Sequence, residues 1–186
     1  MKISETSIPG VTIIQQARHA DSRGVFMESY QKARYCDAGI TCEFVQDNVA
    51  VSDKRNTIRG LHFQRPPSAQ DKLVSVLRGA VLDVVVDIRH GSPTFGHVEA
   101  FRLSEEDGNQ LFVPIGMAHG YCTLADDTAV LYKVSAQYDP GTEAGIVWKD
   151  PQLGICWPVE DAAAIVAERD KALPTLSGLE IVFTYD

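Results

Sequence analysis

The stretch Leu73-Val74-Ser75-Val76-Leu77-Arg78-Gly79-Ala80-Val81-Leu82-Asp83-Val84-Val85-Val86-Asp87-Ile88 decides the fold class. Two apolar runs, residues 73–77 and 80–88, flank an Arg78-Gly79 turn. The second run is dense in β-branched residues, which suit a pleated, half-buried strand. Working outward, similar segments occupy residues 11–17, 24–30, 42–52, 57–64, 96–103, 110–113, 120–124 and 129–135. Polar turns such as Asp53-Lys54-Arg55-Asn56 and His90-Gly91-Ser92-Pro93 separate them. Many short strands at regular spacing indicate a sandwich or barrel and exclude a βαβ layout. Residues 31–38 fit one or two helical turns ahead of Gly39. The Ala-rich run from Asp161, AAAIVAERDKAL, predicts a helix by composition and by its acidic start. With no repeats and no linker, residues 1–186 read as a single all-β domain with a short helical tail.

The bulk numbers narrow the function. A chain of 186 residues can bury roughly 70 % of its unfolded surface. No apolar run reaches the roughly 20 residues of a membrane helix. The start, MKISETSIPGVTII, lacks the apolar core of a secretory signal. A net charge of −8 gives no general attraction for nucleic acid or anionic membrane, so any anionic ligand needs local positive charge. Cys36, Cys42, Cys122 and Cys156 form no CxxC pair and read as buried thiols of a cytoplasmic protein. No spacing signal supports cysteine catalysis.

Chemistry-bearing residues gather in three places. In Arg59-Gly60-Leu61-His62-Phe63-Gln64, strict strand alternation puts Arg59 on one face and His62 on the other. Lys72 opens the next strand. His119 follows the turn in Pro114-Ile115-Gly116-Met117-Ala118-His119-Gly120. Tyr132 alternates with Val130 and Val134, which points it into a barrel. Each has a plainer reading: a lone strand histidine is most often a hydrogen-bonded structural residue, a tyrosine amid valines is core, and a lysine is a solvated charge.

Together, however, these motifs resemble the dTDP-4-dehydrorhamnose 3,5-epimerase family, cupin-type enzymes of deoxysugar biosynthesis. The resemblance rests on Asp21-Ser22-Arg23-Gly24-Val25-Phe26-Met27-Glu28, Phe44-Val45-Gln46-Asp47-Asn48, Ile58 to Gln64, Lys72-Leu73-Val74, Val86-Asp87-Ile88-Arg89 with Ser92 to Gly96, Pro114 to Gly120, Leu131-Tyr132-Lys133 and Gly145-Ile146-Val147-Trp148. They keep the family's order and spacing from about residue 5 to 175. The resemblance implies a cupin-type jelly-roll β-barrel with short helical segments, mainly near the C-terminus, and no cofactor. It implies a substrate that is a dTDP-4-keto-6-deoxyhexose. Inverting a carbon beside a ketone takes a base, a group for the enolate oxygen and an acid on the opposite face. By family likeness these are His62, Lys72 and Tyr132, with Asp170 as the carboxylate behind His62. On its own, Asp170 reads as an exposed helix-end carboxylate. Substrate contacts carried over are Arg23, Phe26, Glu28, Gln46, Asp47, Asn48, Arg59, Lys72, His119, Tyr138, Glu143 and Arg169, with Tyr138 near the sugar.

Asp83 is a weaker expectation as an ion partner of Lys72. His62 and His119 are the plausible metal ligands of a barrel, but the His-x-His pair of metal-binding cupins reads His62-Phe63-Gln64 here, so no metal is expected. The chain departs from the family at Ser75, where arginine is frequent, at Arg169, where lysine occurs, and at Met117 and Tyr121, where phenylalanine is common. The same base and acid serve a single-centre 3- or 5-epimerase of another deoxysugar, and a non-catalytic sugar-nucleotide binder is a further alternative. The resemblance also implies a homodimer with exchanged N-terminal strands, which brings Arg23 and Glu28 to the neighbouring site.

Overall fold

The computed structural model describes residues 1–185. In chain order it contains β1 (Lys2–Glu5), β2 (Thr12–Gln15), β3 (His19–Asp21), β4 (Gly24–Phe26), α1 (Lys32–Asp37), β5 (Gln46–Ser52), β6 (Thr57–Gln64), β7 (Lys72–Arg78) and β8 (Ala80–Asp87). There follow β9 (Val98–Ser104), β10 (Asn109–Val113), β11 (Met117–Thr123), β12 (Thr128–Val134), β13 (Glu143–Gly145), β14 (Ile165–Val166) and α2 (Glu168–Lys171). One six-stranded sheet runs β1-β2-β10-β7-β12-β5. The other runs β13-β6-β11-β8-β9, with β14 added beside β6. The sheets face each other across a core that takes Val74, Val76, Leu111 and Val130 from the first and Val81, Val85, Leu103 and Met117 from the second. This is the jelly-roll barrel expected of the sequence. No helix of the described residues is long and apolar enough to cross a membrane.

The two strands of the decisive stretch belong to different sheets. β7 pairs with β10 and β12, while β8 pairs with β11 and β9, so the Arg78-Gly79 turn carries the chain from one sheet to the other. Gly79 takes a left-handed φ of +79° there. β8 is also buried on both faces rather than half-buried. Val81 and Val85 face the inter-sheet core, and Val84 and Val86 lie under a second cluster with Ile146, Leu153 and Phe183 from the C-terminal segment. Each such side chain contributes about 1.5–3 kcal/mol of burial, which holds that irregular segment on the barrel.

The predicted helix from Asp161 does not form. Asp161–Ala163 make a single 3-10 turn, Ile165–Val166 become β14, and only Glu168–Lys171 are α-helical. Tertiary pairing overrides alanine's helix propensity here. The edge of β6 offers unpaired backbone groups, and β14 takes them in parallel register, Ile165 to Thr57 and Val166 to Ile58. Val166 then packs with Ile58, Cys122 and Trp148. Of the four cysteines only Cys122 is buried; Cys36 and Cys42 are partly covered and Cys156 is exposed. The expectation of buried thiols therefore holds at one position. β1, which sequence patterning passes over, pairs with β2.

Candidate active site

β6 is where local backbone builds the site. Gly60 has φ +117°, and the register of β11 against β6 shifts between His119 and Tyr121. A bulge of this kind resets the alternation of side chains. Arg59 and His62 consequently both line one cavity, although simple alternation assigned them opposite faces. Glycine is required: a Cβ on Gly60 would sit 2.7 Å from Gly120 Cα and 2.8 Å from the His119 carbonyl oxygen.

The cavity measures about 610 Å³ and lies between the two sheets. β6 and β11 of one sheet contribute Arg59, His62, His119 and Tyr121, and β5, β7 and β12 of the other contribute Gln46, Asn48, Lys72 and Tyr132. Tyr138, Glu143, Arg169 and Asp170 close its rim. His62 and Tyr132 thus stand on opposite walls of one space.

The edge of β6 explains how Asp170 arrives. β13 covers the edge from Gln64 to His62, and β14 covers Thr57 and Ile58. The gap between them leaves the Gly60 N–H free, and it donates to Asp170 Oδ2 at 3.2 Å. Asp170 Oδ1 is 2.8 Å from His62 Nε2. Asp170 is 3 % exposed, which overturns its reading as a solvated helix-end group. Burial acts to raise its pKa, but the His62 contact, the Gly60 N–H and the Arg169 charge outweigh it and hold the carboxyl below its ordinary value. An ionised carboxylate only accepts, so the Nε2 proton belongs to His62, and in the neutral ring Nδ1 carries the lone pair.

Lys72 donates weakly to the His62 carbonyl oxygen, Nζ to O 3.4 Å. Burial pulls its pKa down to about 8, against the opposing charges of Asp83 and Glu143. Tyr132 is half-buried, and burial raises its phenol above the ordinary value against the pull of Arg59. Arg59 is steadied by Ser52 Oγ at 3.3 Å and the Val51 carbonyl at 3.2 Å. At the rim, Tyr138 donates to Glu143 Oε2 at 2.9 Å, and Arg169 Nη1 approaches the same oxygen at 3.4 Å.

Eleven residues named from the sequence therefore meet here: Gln46, Asn48, Arg59, His62, Lys72, His119, Tyr132, Tyr138, Glu143, Arg169 and Asp170. Four do not. Asp47 points to the other face of β5 and pairs with Lys133 at 2.8 Å, because alternation separates it from Gln46 and Asn48. Arg23 pairs with Asp21 and Glu28 with Arg34, and Phe26 is 72 % exposed, all outside the cavity. The Asp83 carboxylate bonds His119 Nε2 at 2.8 Å instead of forming an ion pair with Lys72. Gln70 and Tyr121 line the cavity without having been singled out. For Tyr121 the signal was available, since it lies two positions beyond His119 on β11.

Residues 5–178 match the dTDP-4-dehydrorhamnose 3,5-epimerase family. The chain is 44 % identical over 177 residues to dTDP-4-dehydrorhamnose 3,5-epimerase of Salmonella typhimurium, covering 95 % of this chain and 96 % of the relative. The fold superposes on a 3,5-epimerase of Legionella pneumophila solved with dTDP-4-keto-L-rhamnose, with a TM-score of 0.94 at 40 % identity, covering 100 % and 98 % of the two chains. It also superposes on a 3'-monoepimerase of Streptomyces bikiniensis solved with dTDP-quinovose, with a TM-score of 0.86 at 36 % identity over 92 % and 86 %. With the family signature spanning nearly the whole chain and the fold shared across it, this chain belongs to the dTDP-4-dehydrorhamnose 3,5-epimerase family.

Proposed function

We propose that this chain inverts C3 and C5 of dTDP-4-dehydro-6-deoxy-D-glucose to give dTDP-4-dehydro-L-rhamnose. One observation carries the reading: an imidazole backed by a carboxylate and a phenol face each other across a single cavity that also holds an ammonium. His62 Nδ1 takes the proton from the carbon beside the ketone. The C–H electron pair moves into a new C=C bond, and the carbonyl pair moves onto the oxygen, where Lys72 steadies the charge. Tyr132 then gives its proton to the same carbon from the other side, the carbonyl re-forms, and the centre is inverted. Solvent returns a proton to Tyr132 and removes one from His62 before the second carbon reacts. Arg59 and Arg169 supply the local positive charge that a diphosphate needs in an acidic protein. The catalytic groups His62, Lys72, Tyr132 and Asp170 all come from one folding unit, in a cytoplasmic setting.

The β3–β4 hairpin forms a two-stranded sheet of its own, with Val25 and Phe26 exposed. β5 is an edge strand whose outer face shows Val49 and Val51. These surfaces support a homodimer with exchanged N-terminal strands, in which Arg23, Phe26 and Glu28 serve the neighbouring cavity. Mixing an Arg23→Ala chain with a His62→Ala chain should then restore activity to one site per mixed dimer.

Turnover of the 4-keto-6-deoxyglucose nucleotide in deuterated water tests the reaction. Deuterium at both C3 and C5 with inverted product is expected. Label at one carbon alone moves the chain to the single-centre reaction of its Streptomyces bikiniensis neighbour. Tight binding of the nucleotide with no exchange at either carbon refutes catalysis.

A further inference from the structure

We infer that Asp83 is a positioning residue for the reaction: it fixes the His119 imidazole with the proton on Nε2, so that Nδ1 is an acceptor for a hydroxyl of the bound sugar. This rests on the epimerase reading above. Asp83 is 0 % exposed and does not line the cavity, so it cannot touch substrate. It acts through His119, which does line the cavity and whose Nε2 is 2.8 Å from Asp83 Oδ1. A carboxylate only accepts hydrogen bonds, which puts a ring proton on Nε2 and, in the neutral ring, leaves a lone pair on Nδ1.

The surroundings show why an acceptor is useful there. His119 sits opposite His62 in the β11–β6 ladder. Lys72 and Arg59, which share the cavity with it, are donors only. Glu143 is already engaged by Tyr138 and Arg169, and Asp170 by His62 and Gly60. A sugar hydroxyl that must donate therefore finds few free acceptors. The Nε2–H tautomer of His119, backed by a hidden carboxylate, would provide one without adding an anion to the surface that receives a diphosphate.

The way Asp83 is satisfied separates this role from a structural one. Asp87, also 0 % exposed and four residues further along the same face of β8, has both oxygens used by Arg89, Ser92 and Thr94. Asp83 Oδ2 has no partner among the described residues. A buried carboxylate oxygen left bare is rare and calls for a functional reason. Asp83 spends its bonding on one cavity-lining imidazole.

Two measurements test the inference. Long-range proton–nitrogen NMR of the wild-type histidine rings, assigned with His119→Gln, should show His119 as the Nε2–H tautomer at neutral pH. Finding the proton on Nδ1 overturns the proposal even if Asp83 variants do not fold. In kinetics with the 4-keto-sugar nucleotide, Asp83→Asn should lower kcat/KM by about tenfold to a hundredfold while dTDP binds unchanged. In a His119→Gln background, assayed well below pH 8 so that Lys72 stays protonated, the same change should have no further effect, and Asp83→Glu should recover part of the loss. An equal loss in both backgrounds identifies a structural role and refutes the inference. If the wild type turns over no keto-sugar, the epimerase reading fails instead, and the tautomer measurement still reports on Asp83.

Discussion

His62 Nε2 lies 2.8 Å from Asp170 Oδ1, although 108 residues separate them in the chain. The contact is possible because Asp170 also fills a backbone vacancy on the β6 edge, at the Gly60 N–H. A single carboxylate therefore bridges the sheet edge and the His62 imidazole.

Asp170→Asn keeps the shape and removes the charge that stabilises protonated His62. The expected result is a fall in kcat of about 10²-fold or more, with KM little changed. Steady-state kinetics and solvent deuterium exchange at C3 and C5 check it. The same group shapes acid stability. Its lowered pKa means that its contribution is present above the ordinary value of 3.8 and is lost as pH falls through the folded-state value. Asp170→Asn should flatten that part of the stability profile in denaturant titrations against pH.

Tyr132→Phe should keep deuterium exchange on the His62 side and lose inversion. His62 can still take and return a proton, but no donor remains on the opposite wall. Proton NMR of the product stereochemistry decides, and inverted product at wild-type rate removes Tyr132 from the mechanism.

Lys72 should set the alkaline limb of kcat. It steadies the enolate only while protonated, and burial brings its pKa to about 8. Activity is therefore expected to fall as pH rises through about 8. Tyr132 does not cause this loss, because its own pKa is raised and the phenol stays protonated there. Lys72→Arg keeps a cation at all these pH values, so its residual activity should show no fall in that range. Lys72→Met should lose about 10²–10³-fold in kcat.

Gly60→Ala should be among the most damaging single changes in the barrel. The new methyl meets backbone of the neighbouring strand at 2.7 Å and 2.8 Å, and the φ of +117° disfavours any side chain. A loss of about 2–4 kcal/mol in denaturant unfolding is expected, with activity lost alongside because Arg59 and His62 no longer share a face.

Arg59→Ala should weaken binding more than chemistry. Its guanidinium lies in the cavity but is held by Ser52 and Val51 and touches neither His62 nor Tyr132 by hydrogen bond. KM is expected to rise about tenfold with kcat retained.

By itself the sequence determined most of the barrel strands, the barrel class and, through family likeness, most of the cavity's polar residues. β-branched runs and turn residues act locally, and motif spacing survives in the linear chain; β6 was bounded correctly as residues 57–64. Tertiary structure decided the rest. The Arg78-Gly79 turn became a crossing between sheets because each strand found better partners elsewhere. An alanine-rich run gave up its helix because Ile165 and Val166 could complete an open sheet edge. Arg59 and His62 came onto one wall only through a bulge that alternation cannot anticipate. Family likeness placed Asp170 behind His62, but the contact of Asp83 with His119 came only with the fold, since nothing near a carboxylate in sequence records which imidazole will stand beside it when two sheets close.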